Sequence, residues 1–146
     1  MKIVVIDGQG GALGKSVITA LRKRRVIENG TGEGKTGQIF AVGTNSTATA
    51  AMLSAGADHA ATGENPVLVA CADADAIMGP IGIVIANSMF GEITPAIAKA
   101  VGRSQAKKFL IPVDKCNVTV IGTHEHPYSE LVKLAADAVA AAFDIP

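Results

Sequence analysis

A glycine-rich stretch near the N-terminus has the residue types and spacing typical of a phosphate-binding loop. The sequence VVIDGQGGALGKS (4–16) places Gly8, Gly10, Gly11 and Gly14 directly after a run of β-branched residues. Glycines at such a position let the backbone turn sharply or approach a phosphate closely. The alternatives are a nucleotide triphosphatase loop, a dinucleotide loop, and a tight turn that binds no ligand.

The spacing does not match a triphosphatase loop. That loop requires Gly-x-x-x-x-Gly-Lys followed by Ser or Thr, because the fixed spacing wraps backbone amides around the phosphates. Gln9 stands where the first glycine would be needed before the Gly-Lys-Ser at 14–16. Asn29 stands there before the Gly-Lys-Thr at 34–36. Phosphoryl transfer is therefore disfavoured.

The dinucleotide loop fits better. Gly8-x-x-Gly11-x-x-Gly14 is the variant spacing of Rossmann folds related to short-chain dehydrogenases, and Gly8-x-Gly10 matches half of the commoner fingerprint. A predicted strand precedes these glycines and a predicted helix follows them, which is the context that this loop requires.

The ribose-binding part of the dinucleotide pattern is missing. An Asp or Glu normally follows the second strand and binds the ribose hydroxyls. Here that strand ends in Gly43, Thr44, Asn45 and Ser46, and no acid is present. Hydroxyls and an amide can still bind a ribose or a phosphate, so NAD(P) stays a hypothesis beside other phosphorylated ligands.

The sequence predicts a site for a nucleotide or dinucleotide, NAD(P) among them, or for another phosphorylated metabolite. The ligand would lie in a crevice formed by 8–14, 44–46, 79–82 and 112–116. The predicted binding residues are Gly8, Gln9, Gly10, Gly11, Gly14, Thr44, Asn45, Ser46 and Lys115. The alternative is a non-catalytic oligomeric regulatory or scaffold protein that keeps a vestigial site of this kind.

No catalytic or metal-binding residue is assigned from the sequence. Tyr128 has Val132 four residues later, so the Tyr-x-x-x-Lys pair of a short-chain dehydrogenase is absent. The His-Glu-His at 124–126 precedes a proline and reads as a polar turn without a third ligand, so no metal site is predicted. Cys116 is interpreted as a buried thiol rather than a nucleophile, since no base is identified beside it. Glu64 and Glu92, the two candidates for acid–base chemistry, are interpreted as capping or turn residues.

Apolar runs and helical spacing alternate along the chain. Strands are predicted at 2–6, 38–43, 75–79, 107–113 and 117–122, and helices at 14–27, 46–56, 66–72, 94–102 and 128–143. The segment 58–63 is predicted as a short strand or a turn, and 80–93 is ambiguous between strand and helix. Such alternation predicts a single three-layer, Rossmann-like α/β domain over 1–146 with a mainly parallel sheet. Because only a few residues separate the last two strands, the last one is predicted to be an antiparallel edge strand.

The composition of the chain limits the classes of partner that the protein is expected to bind. The chain has 146 residues, a formal net charge of zero and 3% aromatic residues, which does not fit a nucleic-acid-binding protein. With no apolar stretch suited to a signal peptide or a membrane span, a cytoplasmic location is expected. Hydrophobic residues make up 49% of the chain. A dense α/β core is the plainer explanation of this excess, and a homo-oligomer is also expected.

Several phrases together resemble a bacterial family known only as a domain of unknown function. They are VIDGQGG, GTNSTATAAMLSAGADHAATGEN, GPIGIVIANSMFGEITPAIAKA and KKFLIPVDKCNV, and they span most of 1–122. The resemblance implies a Rossmann-like fold and a cytoplasmic setting, and it brings no activity with it. The glycine-rich segment 29–37 is longer than this family would lead one to expect.

Overall fold

Five strands and five α-helices alternate in the computed structural model, which describes residues 1–27, 37–113, 117–123 and 126–146. The strands are β1 (Lys2–Asp7), β2 (Gln38–Gly43), β3 (His59–Thr62), β4 (Ala76–Pro80) and β5 (Lys107–Ile111). The helices are α1 (Ala12–Lys23), α2 (Ser46–Ser54), α3 (Glu64–Ala72), α4 (Pro95–Arg103) and α5 (Tyr128–Ala142). A 3₁₀ helix over Ile81–Val84 follows β4 directly.

All five strands form one parallel sheet in the order β3-β2-β1-β4-β5. This is the strand order of a doubly wound α/β fold, in which the chain returns to the centre of the sheet after its third strand. Residues 3–7 of β1 are all buried, as expected for a central strand covered on both faces. The continuous apolar run in the sequence is the signal of that position.

Helices cover both faces of the sheet. The apolar stripe of α1, with Val17, Ile18 and Leu21, packs on one face together with residues of α2 and α5. On the other face, residues of α3 and α4 such as Val67 and Ile97 cover the strands. The three layers predicted from the sequence are therefore observed.

Local sequence explains where two of the helices begin. Asn45 precedes α2, and its side-chain oxygen accepts a hydrogen bond from the backbone N–H of Ala48. Thr94 caps α4 in the same way through the N–H of Ile97, and Pro95 takes the first helical position. Both arrangements satisfy amides that have no partner inside the helix.

The predicted antiparallel edge strand is wrong. Both edges of the sheet, β3 and β5, are parallel to their neighbours, and residues 117–122 form turns and irregular chain rather than a strand. Asn117 and Gly122, the two ends of this segment, have positive φ angles of 57° and 92°, so neither end has the extended conformation of a strand. The run of β-branched residues at 118–121 is typical of a strand, but the segment pairs with none of the described strands.

The other predicted helix and strand boundaries differ less from the observed ones. The first helix covers 12–23 rather than 14–27, and the ambiguous segment 80–93 contains a 3₁₀ turn followed by irregular chain. Within the described ranges, no helix combines the length and apolar character needed to cross a membrane. The polar glycine-rich loop predicted at 29–37 lies outside the described residues except for Gly37.

Candidate functional site

A cavity of about 300 Å³ lies where the sheet changes its winding direction, at the carboxyl ends of β1 and β4. In open parallel sheets this is the place at which ligands bind. The loop between β1 and α1 forms one wall, the start of the 3₁₀ helix forms another, and α5 closes the side. The lining residues are Asp7, Gly8, Gln9, Gly10, Gly11, Ala12, Leu13, Ser16, Pro80, Ile81, Gly82, Ile85, Met89, Val113 and Tyr128.

The buried carboxylate of Asp7 fixes the shape of the loop between β1 and α1. Its Oδ1 accepts a hydrogen bond from the N–H of Gly8 at 2.8 Å, and its Oδ2 accepts one from the N–H of Gly14 at 2.7 Å. Gly14 lies in the first turn of α1, where the helix dipole favours a negative charge. One side chain therefore ties the end of the strand to the start of the helix.

Three of the four loop glycines are required by their surroundings. A Cβ on Gly8 would lie 2.8 Å from the Met89 sulfur and 2.9 Å from an oxygen of Glu92. Gly11 has a φ of 72°, and a Cβ there would lie 2.7 Å from the Cα of Ala48 in α2. A Cβ on Gly14 would overlap the side chain of Met52, also in α2. These glycines serve turning and close packing, as in a dinucleotide loop.

Gly10 is different from the other three. A Cβ on Gly10 would meet no atom within 4 Å, and its φ is not in the left-handed region. Gly10 is exposed and lines the cavity. Neither the packing nor the backbone conformation of the described chain requires a glycine here.

Two amides at the start of α1 are available to a ligand. The N–H groups of Ala12 and Leu13 have no hydrogen-bond acceptor among the described residues, whereas those of Gly11 and Lys15 bond to Gly8 and Gly11. Both residues line the cavity. Unpaired amides at a helix N-terminus are the groups that bind anions in loops of this type.

The Tyr128 phenol and the Ser16 hydroxyl lie next to each other in the wall of the same cavity. Tyr128, the first residue of α5, is 41% exposed. Burial raises the pKa of the Tyr128 phenol, a hydrogen bond with Ser16 lowers it, and the negative charge of Asp7 raises it. The net effect is a raised pKa, so Tyr128 is a neutral hydrogen-bonding group at physiological pH.

The predicted site residues after β2 lie on the other side of the loop and do not line the cavity. Asn45 caps α2 and also donates from Nδ2 to the carbonyl oxygen of Gln9 at 2.9 Å and to Oε1 of Glu92 at 2.6 Å. Oε2 of Glu92 accepts from the N–H of Gln9 at 2.7 Å. The Thr44 hydroxyl is buried without a hydrogen-bond partner among the described residues, and Ser46 is exposed on α2.

The structure thus brings together most of the predicted binding residues. Gly8, Gln9, Gly10 and Gly11 form part of the cavity wall, whereas Gly14 lies inside α1 and does not line the cavity. Thr44 and Asn45 lie against the loop from its far side. Lys115, with Asp114 and Cys116, lies outside the described residues. Glu64 is engaged away from the cavity, where Oε2 accepts a hydrogen bond from the Thr94 hydroxyl.

Sequence reasoning missed two participants. In the sequence, Asp7 is a polar residue at the end of an apolar run. Its position directly before the first loop glycine is the signal that could have identified it. Tyr128 does not fit the Tyr-x-x-x-Lys motif, and nothing in the sequence places the start of α5 beside α1. In the described part of the chain, no group of three His, Cys, Asp or Glu residues is arranged to hold a metal ion.

Three comparisons with known proteins identify a family and one similar solved structure. The family model described as a domain of unknown function (DUF3842) matches residues 2–144. A solved structure titled as an FMN-dependent cysteine decarboxylase, TvaF, from thioviridamide biosynthesis is similar over 98% of this chain and 86% of that one, with a TM-score of 0.46 and 13% identity. A search of curated proteins found no match.

Proposed function

The chain belongs to the family described as a domain of unknown function (DUF3842), and we propose that it binds a nucleotide or another phosphorylated small molecule in the cavity between β1 and β4. The cavity lies at the switch point of a doubly wound sheet, where this fold places its ligands. Its volume of about 300 Å³ falls at the lower end of the range for small-molecule sites.

Gly10 is the observation that carries the proposal. The remaining loop glycines have structural reasons, whereas Gly10 has none within the described chain. In dinucleotide loops the second glycine lets the pyrophosphate approach the backbone. A ligand atom that passes close to Gly10 would explain why a side chain is absent there.

The first amides of α1 supply the groups that a phosphate needs. The N–H groups of Ala12 and Leu13 are unpaired among the described residues and belong to residues of the cavity wall. The nearby carboxylate of Asp7 repels negative charge, so it opposes a doubly charged terminal phosphate more than a singly charged one. This electrostatic argument favours a pyrophosphate that is esterified at both ends, as in NAD(P).

The remaining walls suit a flat, partly polar ring system. Pro80, Ile81, Ile85 and Met89 form an apolar surface, and the hydroxyls of Ser16 and Tyr128 provide a polar edge. Ligand sites typically combine a mostly apolar lining with a few polar groups that fix orientation. Binding of a ring at this wall would be detectable through Tyr128, because the chain contains one tyrosine and no tryptophan.

The test is ligand-dependent thermal stability with a matched pair of variants. NAD, NADP, AMP, ATP, FMN and inorganic phosphate are added to the wild-type protein and to Gly10→Leu and Gly102→Leu. A ligand at 100 times its Kd stabilises by about 2.7 kcal/mol, which raises Tm by several degrees. Gly102 in α4 also has open space around its Cα, so Gly102→Leu adds the same side chain away from the cavity.

We expect at least one nucleotide to raise the Tm of the wild type and of Gly102→Leu, and to lose most of this effect on Gly10→Leu. A ligand that stabilises Gly10→Leu as strongly as the wild type would contradict binding at the loop. A panel without any stabilising ligand would favour the second candidate function, a homo-oligomeric regulatory or scaffold protein. One observation supports that candidate: Phe90 is fully exposed on the segment next to the cavity.

A further inference from the structure

The segment between the 3₁₀ helix and α4 is held in an unusual conformation. Asn87, Met89 and Phe90 have φ angles of 66°, 55° and 55°, and Gly91 follows with 89°. Left-handed conformations are unfavourable for residues with a Cβ and persist only where the surrounding structure enforces them. Here the buried Ser88 donates a hydrogen bond to the carbonyl oxygen of Gly82 at 2.5 Å.

This turn brings the side chain of Glu92 to the glycine loop. The N–H of Glu92 bonds to the carbonyl oxygen of Met89 at 3.1 Å, and the next residue, Ile93, is fully buried. The backbone around Glu92 is thereby fixed on both sides. Strain in this turn and its anchored ends are together consistent with a carboxylate that has to be placed at one position.

The Glu92 carboxylate is oriented by two donors and keeps the capacity to accept more. One hydrogen bond reaches Oε2 from the Gln9 N–H, and one reaches Oε1 from the Asn45 amide. Each carboxylate oxygen accepts about two hydrogen bonds, so one acceptor site remains on each oxygen among the described contacts. The side chain of Glu92 is part-exposed, and its bond to Gln9 is solvent-exposed, so a ligand has access to it.

The position of this carboxylate matches a group that the sequence lacks. Dinucleotide folds place an Asp or Glu at the end of the second strand, beside the glycine loop, where it binds the ribose hydroxyls. Here β2 ends at Gly43, and the residues that follow carry no acid. Glu92 supplies a carboxylate at that place from a segment 47 residues beyond Asn45.

We propose that Glu92 is the ribose-binding residue of this site and accepts the hydroxyls of an unmodified ribose. This inference rests on the proposed nucleotide binding at the loop, and it narrows the ligand class. A nucleotide with free 2′ and 3′ hydroxyls donates to the two oxygens of Glu92. A 2′-phosphate would place negative charge against the carboxylate, so NADP and 2′-phosphorylated nucleotides are rejected.

Two ligand pairs test this proposal by titration calorimetry on the full chain. NAD is compared with NADP, and AMP is compared with 2′-deoxy-AMP, on the wild type, on Glu92→Gln and on Asp137→Asn. The last variant removes the same unit of charge next to Arg24, beyond the far end of α1 and about 18 Å from the loop. Thermal unfolding of each variant establishes that it is folded. If Glu92→Gln does not fold, the NAD-to-NADP and AMP-to-2′-deoxy-AMP affinity ratios of the wild type still test the proposal.

We expect the wild type and Asp137→Asn to bind the member of each pair with the free 2′-hydroxyl at least about tenfold more tightly, as hydrogen bonds to a charged acceptor allow. In Glu92→Gln the preference for NAD over NADP should fall to about twofold or less, because the charge repulsion is removed. Equal affinities within both pairs in the wild type, or an unchanged NAD preference in Glu92→Gln, would overturn the proposal.

Failure of this inference can be told apart from failure of the proposed function. If neither nucleotide pair binds, the ribose role of Glu92 is wrong, whereas stabilisation by another phosphorylated compound that depends on Gly10 would leave the proposed function intact. If both pairs bind with the expected preferences but Gly10→Leu changes nothing, the loop is not where the phosphate binds.

Discussion

The two sides of the glycine loop differ in what fills them. On the side of β2, the loop is packed against the chain itself: Gly11 lies against Ala48, and Gln9 is held by Asn45 and Glu92. On the side of β4, the same loop borders a cavity of about 300 Å³. Unpaired amides and the open space beside Gly10 occur on this second side.

This contrast separates residues that build the loop from residues that line the cavity. Glu92, which is part-exposed, is the loop-holding residue that we also propose to contact a ligand. Substitutions on the β2 side should cost stability, because they remove contacts or create overlaps within the protein. Substitutions on the β4 side should leave stability nearly unchanged and alter only binding. Asp7 belongs to both sides, since it fixes the loop through Gly8 and Gly14 and also borders the cavity.

The largest effect is expected from adding one methyl group at adjacent positions of the loop. Gly11→Ala should lower the free energy of unfolding by about 3 kcal/mol, because a left-handed residue gains a Cβ that overlaps the backbone of Ala48. Gly10→Ala should change it by less than about 0.5 kcal/mol, since the added Cβ meets nothing. Urea denaturation of both variants measures the difference. Similar losses at the two positions would show that the two sides are not distinct.

A smaller loss of stability is expected at the cap of α2. Asn45→Ala removes the acceptor for the Ala48 N–H and the donor to Glu92, and it should cost about 1–2 kcal/mol. Ser46→Ala is the matched control, because Ser46 is exposed and its hydroxyl has no hydrogen bond to the described residues. Its effect should stay within about 0.5 kcal/mol. A Ser46→Ala loss as large as that of Asn45→Ala would contradict the cap assignment, because Ala has a higher helix propensity than Ser and Ser46 makes no cap hydrogen bond.

Much of the fold could be predicted because its signals are local. A continuous apolar run predicted β1, helical spacing predicted α1, and a Thr-Pro pair predicted the start of α4. The error at 117–122 arose because a run of β-branched residues says nothing about whether a partner strand is available. Likewise, the segment 80–93 could not be predicted, because its left-handed residues depend on contacts such as that between Ser88 and Gly82.

Only the part of the candidate site that depends on the spacing of glycines along the chain could be predicted. Glycine spacing identified the loop, and strand order then placed it at the centre of the sheet. Glu92 was not connected with the loop, because it is 83 residues from Gln9 in the chain. The missing acid after β2 was read correctly from the sequence, yet the carboxylate that occupies its place comes from a turn that only the tertiary structure defines.

The cavity side can be examined through the titration of Tyr128 in the folded protein. It is the sole tyrosine, so the absorbance of tyrosinate reports on this residue alone. We expect a pKa above the ordinary value of 10.0, mainly because burial disfavours the charged phenolate. Ser16→Ala should raise the pKa further, because it removes a hydrogen bond that lowers it, whereas Asp7→Asn should reduce it by removing a nearby negative charge. Since the folded state then holds this proton more tightly than the unfolded chain does, the free energy of unfolding should fall as the pH rises above about 10. A Tyr128 midpoint at its ordinary value, unmoved by both variants, would mean that α5 does not close the cavity beside α1, and the β4 side would then be open surface.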